Sequence, residues 1–536
     1  MAKHYKMRSL LNFNGNKYLK RARHCLALLL TVMFLIAGYT YSFGQYTYFN
    51  ERIDHYNNYD YSRNIMVMDS GYMIAGFTYD TIYNWYLHLS FTKVDTGGEV
   101  EFFKEFGFEG TDMFLGNPGS LITYPDNKYI TVGTKRFYTN DWVHDQGMLA
   151  CYNYNFDTLW IRNFGEKEMP YDTEYMFQQV KWTLDSSLIY TGIRMPKGLV
   201  SRIWLLKTDS LGNKLWERFY GEGEEYFQGH SVVQTADGGY VMGAAKFEIH
   251  ATGGYEDPLI IKTDSLGNEE WRINPGNPEV DDNKVMVALA QDGNIIAGTN
   301  YGTDQSGDNR WAVVKIMKIK PDGTVLWDNN YLEPQYDNFL LNTVVLSNGN
   351  MIVNGSFAMF DDGPAIISYI LCLDSLGTQL WYKEYALLTA HNSFNDLYDV
   401  RETSDGGLIG CGRVVPVTPD TGTTDIWLMK MDSTGCLYAG CDTTVVVEET
   451  AVSQKYFKLY PNPAKEYITI EYKLDYNVKN AVVEILTLKG NHIETFRLPG
   501  VQGVKIIDLR NRKSGIYFIR LSANGKTLQN EKFIKL

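Results

Sequence analysis

Lys207-Thr208-Asp209-Ser210-Leu211-Gly212 followed by Trp216 returns as Lys262-Thr263-Asp264-Ser265-Leu266-Gly267 followed by Trp271. Between the two copies lies a second signal, Asp237-Gly238-Gly239-Tyr240-Val241-Met242-Gly243. An Asp and a Gly between apolar runs are hairpin chemistry: Gly takes positive φ and Asp caps the turn. Together the signals predict four short strands, Ser231–Thr235, Tyr240–Ala244, Leu259–Thr263 and Glu269–Ile273, with tight turns joining the first pair and the last pair.

Both signals recur along the chain. The first closes on Gly76, Gly133, Gly192, Gly243, Gly298, Gly355 and Gly412, at intervals of 57, 59, 51, 55, 57 and 57 residues. The second has weaker copies at Asp95 with Phe102, Asp157 with Trp160, Asp322 with Trp327, Asp374 with Trp381 and Asp432 with Tyr438. Seven units of four strands predict a seven-bladed β-propeller, with the recurring Trp as packing between blades. The segment Tyr46–Glu51 sits before the first turn as a fourth strand without its first three, with Tyr48 in the place of Trp216. It is expected to pair into the last blade, seal the ring and remove its exposed edges. These repeats resemble the tandem propeller-type repeats of large exported proteins of Bacteroidota and, less closely, the docking repeats of quinoprotein propellers. The resemblance implies fold and says little of function.

Residues 1–44 hold seven Lys/Arg and no acid, with Lys20-Arg21-Ala22-Arg23 ahead of the apolar run Leu26 to Gly38 and small residues after it. This is the pattern of a secretory signal peptide, and the run is short for a membrane span, which needs about 20 residues. No later segment is apolar enough to span a bilayer. The expected division is a signal peptide at 1–44, the propeller at 45–442, a linker at 443–455 and a separate unit at 456–536.

That last unit carries 14 Lys/Arg against 7 Asp/Glu, so of the chain's formal charge of −13 the segment 45–455 holds −27. Alternating runs between turns at Gly490, Ser514-Gly515 and Asn524-Gly525 predict a small Ig-like β-sandwich. Tyr460-Pro461-Asn462-Pro463, Gly490, Gly515-Ile516-Tyr517 and the ending Lys532-Phe533-Ile534-Lys535-Leu536 closely resemble the type A C-terminal sorting domain of the type IX secretion system. The resemblance implies the type IX machinery as partner, export across the outer membrane, removal of the domain within 443–456, and release or attachment to surface lipopolysaccharide. The expected location is the outer cell surface or the medium. The whole chain is thus expected to be all-β: a seven-bladed propeller followed by an Ig-like sandwich.

Composition narrows function further. An acidic body argues against a nucleic-acid partner. Cys436 and Cys441 are close enough for a disulfide in an oxidising compartment, whereas Cys151, Cys372 and Cys411 lie in apolar runs as buried small hydrophobes. The histidines are scattered without metal-ligand spacing, and there is no Gly-x-Ser-x-Gly elbow, phosphate loop or Cys-x-x-Cys. No catalytic residue and no resident cofactor or metal is assigned. One constellation stands out: Asp60, Asp112, Glu174, Glu225, Asp282, Asp337 and Asp396 each precede a blade's closing Gly by 16–21 residues, often beside Tyr or Phe. At the mouth of a propeller such a ring could hold Ca²⁺, a cationic partner or a sugar, and two of its carboxylates could perform glycosidase chemistry. Equally, a repeated acid could simply cap a repeated turn. Two functions follow. One is a non-enzymatic surface module for a glycan or protein ligand; the other is a secreted polysaccharide hydrolase or lyase, with Glu166–Asp172 as the segment that departs most from the repeat.

Overall fold

The computed structural model describes residues 47–536 except 80–85, 139–142, 166–172, 251–252, 278–281, 303–311, 333–336, 359–364, 391, 418–421, 440, 442–455, 475–480, 488–491, 499–500 and 524–525. The expected signal peptide, the linker, Gly490 and Glu166–Asp172 lie outside the described residues. The chain divides into two compact units, 1–442 and 443–536.

The larger unit is a propeller of seven antiparallel sheets in chain order. Blade 3 shows the plan: Thr173–Trp182, Leu188–Pro196, Arg202–Thr208 and Lys214–Tyr220 pair in that order, from the axis outward. Blade 4 repeats it with Tyr226–Gln234, Tyr240–His250, Gly253–Thr263 and Glu269–Ile273. Its first three strands are longer than the turn signals alone predict. In blade 2 the inner strand is split into Thr111–Leu115 and Leu121–Tyr124, both paired to Lys128–Tyr138. Blade 7 has only three strands of its own, Phe394–Glu402, Leu408–Val415 and Asp425–Met431. Its fourth is the N-terminal strand Phe49–Ile53, antiparallel to Asp425–Met431, which closes the ring.

The two sequence signals prove to be one device. Lys262 is fully buried, and its Nζ lies 3.0 Å from Asp237 of the first signal and 2.7 Å from Glu270. The same lysine–aspartate pairing joins Lys207 to Asp185, Lys318 to Asp292 and Lys430 to Asp405. Blades 2 and 6 carry buried Cys151 and Cys372 at the lysine's position opposite the Trp, and blade 6 has also lost the acid, to Asn348.

The Trp rests on the next blade. A Cβ on Gly267 would come within 3.0 Å of the Trp216 ring, one on Gly377 within 3.1 Å of Trp327 and one on Gly435 within 2.9 Å of Trp381. These glycines also have φ near +80°, so both sterics and backbone demand them. At the seam the same contact is made by Phe49 on Gly98 of blade 1. Phe49, not Tyr48, therefore stands in the Trp position, opposite Lys430 as Trp271 is opposite Lys262. Tyr438, expected as blade 7's equivalent, is instead exposed and outside any strand.

A feature the sequence did not announce runs around the axis. Five inner strands carry a β-bulge at corresponding places, and the residue after it is polar and buried: Asn64, Gln179, Ser231, Asn342 and Asp399. Each bonds to the next blade. Asn64 Oδ1 accepts from Gly119 N at 2.7 Å, Gln179 Oε1 from Val232 N at 2.8 Å, and Ser231 Oγ from Val287 N at 2.9 Å. Asn342 Nδ2 donates to Asp399 at 2.9 Å, and Asp399 Oδ2 accepts from Ile65 N of blade 1 at 3.1 Å. Buried polar groups must be paired, so this belt fixes the register of one blade against the next.

The second unit is a sandwich. Phe457–Tyr460, Tyr467–Lys473 and Gln502–Asp508 form one sheet; His492–Arg497, Val482–Thr487, Gly515–Ala523 and Lys526–Lys535 form the other. Its core holds Ile468, Ile470, Ile485, Ile519, Leu521 and Phe533. Among the described residues of the whole chain, no helix is long and apolar enough to cross a membrane.

Candidate functional sites

All seven predicted acids sit at or just before the start of an inner strand. Two of them, Asp112 and Asp396, bond to a neighbouring blade through their side chains. Asp112 accepts from Leu87 N, the start of blade 1's third strand, at 2.8 Å and also from the Tyr138 hydroxyl. Asp396 accepts from Ser356 Oγ of blade 6 at 3.1 Å and pairs with Arg413 at 2.9 Å. Asp282 caps Asn277 N and Gly302 N, each at 2.5 Å, and its own N–H bonds the Glu256 carbonyl of blade 4. Glu225 pairs with Lys246 at 3.2 Å. Glu174 is half-buried, and burial, with Asp145 nearby, pushes its carboxyl above the usual range. The side chain of Asp337 lies outside the described residues.

Asp60 belongs to a different grouping. It is fully buried, and one oxygen accepts from His55 N at 2.8 Å while Oδ1 has no hydrogen-bond partner. Burial, opposed by the bond from His55 and reinforced by Asp425 and Asp54, raises its carboxyl to about 7. Asp54, Asp60 and Asp425 each bring a carboxylate oxygen within 4.8 Å of the others. The three come from the end of the closing strand, the start of blade 1 and the start of blade 7's third strand. Arg52 pairs with Asp425 and already supplies one positive charge. The trio can share a proton at neutral pH, and its oxygens are near enough together to meet a divalent cation.

The opposite mouth of the axis has the opposite charge. The C-terminal ends of the inner strands enclose a cavity of about 430 Å³ that includes Lys181, Arg401, Trp182, Gln179 and Asn342 among its walls. Lys181 belongs to blade 3 and Arg401 to blade 7, and the two act on each other electrostatically across the ring: burial first, then Arg401, pulls the Lys181 ammonium down to about 8. Arg401 is held by Asp399 at 3.1 Å. Farther along the axis Lys284 is brought down to about 8 by burial and by Arg63 of blade 1. A larger cleft of about 1030 Å³ lies between blades 2 and 3, with Tyr138, Tyr175, Trp204 and Lys214 among its walls.

Among the described histidines, His55 bonds Thr92 Oγ1 and stacks on Phe103, His88 bonds Glu105, and His230 meets Asn117. Cys436 and Cys441 form the expected disulfide, their Cα atoms 5.6 Å apart, and Cys151, Cys372 and Cys411 are free and buried.

In the sandwich, the segment around Asn462 is stitched to the last strand. Asn462 Nδ2 donates to the Lys532 carbonyl at 3.0 Å, and Ile534 N donates to Asn462 Oδ1 at 2.9 Å. Tyr517 stacks on Phe533 with ring centroids 5.4 Å apart, and Gly515 and Ile516 pair with Lys535 and Ile534. Tyr460, Pro461, Pro463 and Lys532 are exposed around this join.

Residues 458–536 match the family model described as the secretion system C-terminal sorting domain. The protein is therefore exported by type IX secretion to the cell surface or the extracellular space, with the secretion machinery as a partner. No curated protein matches the chain. Among solved structures, a polysaccharide lyase of family PL25, an ulvan lyase, is similar at 8% identity and a TM-score of 0.44, covering 73% of this chain and 96% of its own. The polysaccharide lyase Uly1 follows at 11% and 0.43, covering 74% and 94%. A protein of unknown function from Dyadobacter fermentans is similar at 10% and 0.39, covering 61% and 100%.

Proposed function

We propose that the propeller is a non-enzymatic binding module for a glycan, displayed outside the cell after the sorting domain has delivered it. The observation behind this reading is the use made of the acids: Asp112 and Asp396 are spent on joints between blades, and Asp282 on capping Asn277 N and Gly302 N. Clefts remain to receive a ligand, and the cleft of about 1030 Å³ carries Tyr138 and Tyr175, aromatic rings of the kind on which sugars stack. Release of the body or its attachment to surface lipopolysaccharide completes the delivery. A glycan array on the secreted protein, run with a reducing-sugar assay on every bound glycan, tests the proposal. Binding without release of reducing ends supports it. Release of reducing ends from any bound glycan overturns it in favour of a hydrolase or lyase, and an array without binding overturns the glycan as ligand.

A further inference from the structure

The body of this chain is strongly acidic, yet its axis gathers cations. Arg63, Lys181, Lys284 and Arg401 come from blades 1, 3, 5 and 7, and each pair that interacts does so from non-adjacent blades. Only the central channel brings such residues together. Against these four charges stand Glu256, which acts on Lys284, and Asp399, which acts on Lys181 but is already shared among Arg401, Asn342 and Ile65 N. Lys181 makes no ion pair or hydrogen bond through its ammonium among the described residues, although it faces Arg401. Holding two like charges across a confined space costs free energy unless an anion sits between them. The cavity there is large enough for a sugar unit, and Trp182 contributes an indole to its wall.

We propose that this mouth of the channel binds an oxyanion, the carboxylate or sulfate group of an acidic saccharide, between Lys181 and Arg401. The saccharide part rests on the glycan reading above; the anion part does not. Arg401, with its planar fork, would take two oxygens of the group, and Lys181 would act as a point charge from the other side. Trp182 and the apolar wall would take the sugar's face. Lys284 and Arg63 extend the positive potential along the axis and would draw a polyanion inward.

Calorimetric titration of the full mature protein at low salt tests this, with trigalacturonate, its methyl ester and sodium sulfate as probes. The proposal expects trigalacturonate to bind, the methyl ester to bind at least tenfold more weakly, and sulfate to compete. Lys181→Gln, which breaks no ion pair, should keep the melting temperature and weaken trigalacturonate at least tenfold. Trigalacturonate binding that Lys181→Gln leaves unchanged would overturn the site while leaving the glycan reading standing. Sulfate binding lost in Lys181→Gln, with no saccharide bound, would support the anion site and overturn its saccharide carrier. If neither sulfate nor trigalacturonate binds, the site is overturned.

Discussion

Asn342 donates to Asp399 at 2.9 Å, and through this bond blade 6 grips blade 7, while the other carboxylate oxygen of Asp399 takes Ile65 N of blade 1. One buried carboxylate thus ties three blades at the seam of the ring. Asp399→Ala would leave Asn342, Ile65 N and Arg401 without their shared acceptor. Breaking a buried charged network of this kind costs about 3–5 kcal/mol. The melting temperature of the body should fall by several degrees, and Asp399→Asn, which keeps an acceptor oxygen, should cost less. Combining Asn342→Ala with Asp399→Ala should cost clearly less than the sum, because the two changes remove one bond.

The Lys262–Asp237 pair makes a second prediction. Blade 6 accommodates Cys372 and Asn348 where blades 3, 4, 5 and 7 hold this pair. Lys262→Cys alone should therefore destabilise more than Lys262→Cys with Asp237→Asn, with a coupling of about 1 kcal/mol in a double-mutant cycle read by chemical denaturation.

Closure by the N-terminal strand makes a third. Trp427 Nε1 donates to Asn50 at 2.6 Å, Arg52 pairs with Asp425, and Phe49 covers Gly98. Deleting residues 45–52 strips all of these and leaves the edge of Asp425–Met431 open. The melting temperature of the whole body should drop; unchanged unfolding would count against closure. Phe49→Ala alone should cost about 3 kcal/mol, as for other buried aromatics.

The raised carboxyl of Asp60 makes the fourth. Its value in the folded protein, about 7, exceeds its ordinary value near 3.8. The folded state thus holds this proton more tightly than the unfolded chain. The stabilisation is complete below about pH 4 and is lost as pH rises towards 7, by up to about 1.4 kcal/mol per pH unit. Melting temperatures of the wild type and Asp60→Asn, compared from pH 4.5 to 7.5, should diverge as pH rises, with the wild type losing ground. Calcium bound by Asp54, Asp60 and Asp425 would reverse that loss at pH 7 and would do so less in Asp54→Asn.

The ring, its seven units, the closing strand and the disulfide were legible because they rest on local chemistry repeated at a fixed period. Asp at a turn, Gly at positive φ and Trp at a constant distance need no tertiary knowledge. The Lys–Asp cross-link could also have been found, because each partner belongs to a motif that recurs along the chain. The polar belt was hidden because Asn64, Gln179, Ser231, Asn342 and Asp399 share no residue type; what unites them is the bulge before each, visible only in the pairing register. The axial cations were hidden for a different reason. Lys181 and Arg401 share one position of the repeat, two residues after the belt residues Gln179 and Asp399, but other blades place other residues there, and the cations meet only across the ring. The acids drew attention because they repeat, and Asp112 and Asp396 prove to bond across the joint between two blades.

The central claim is that an anionic group docks on the axis between Lys181 and Arg401. The most direct measurement is the anomalous difference density of a crystal of the mature protein grown with sodium selenate. The account predicts a selenium peak in the channel within hydrogen-bonding distance of both side chains, absent in Lys181→Gln. Selenate found only on the outer surface, with water alone between the two cations, would contradict it.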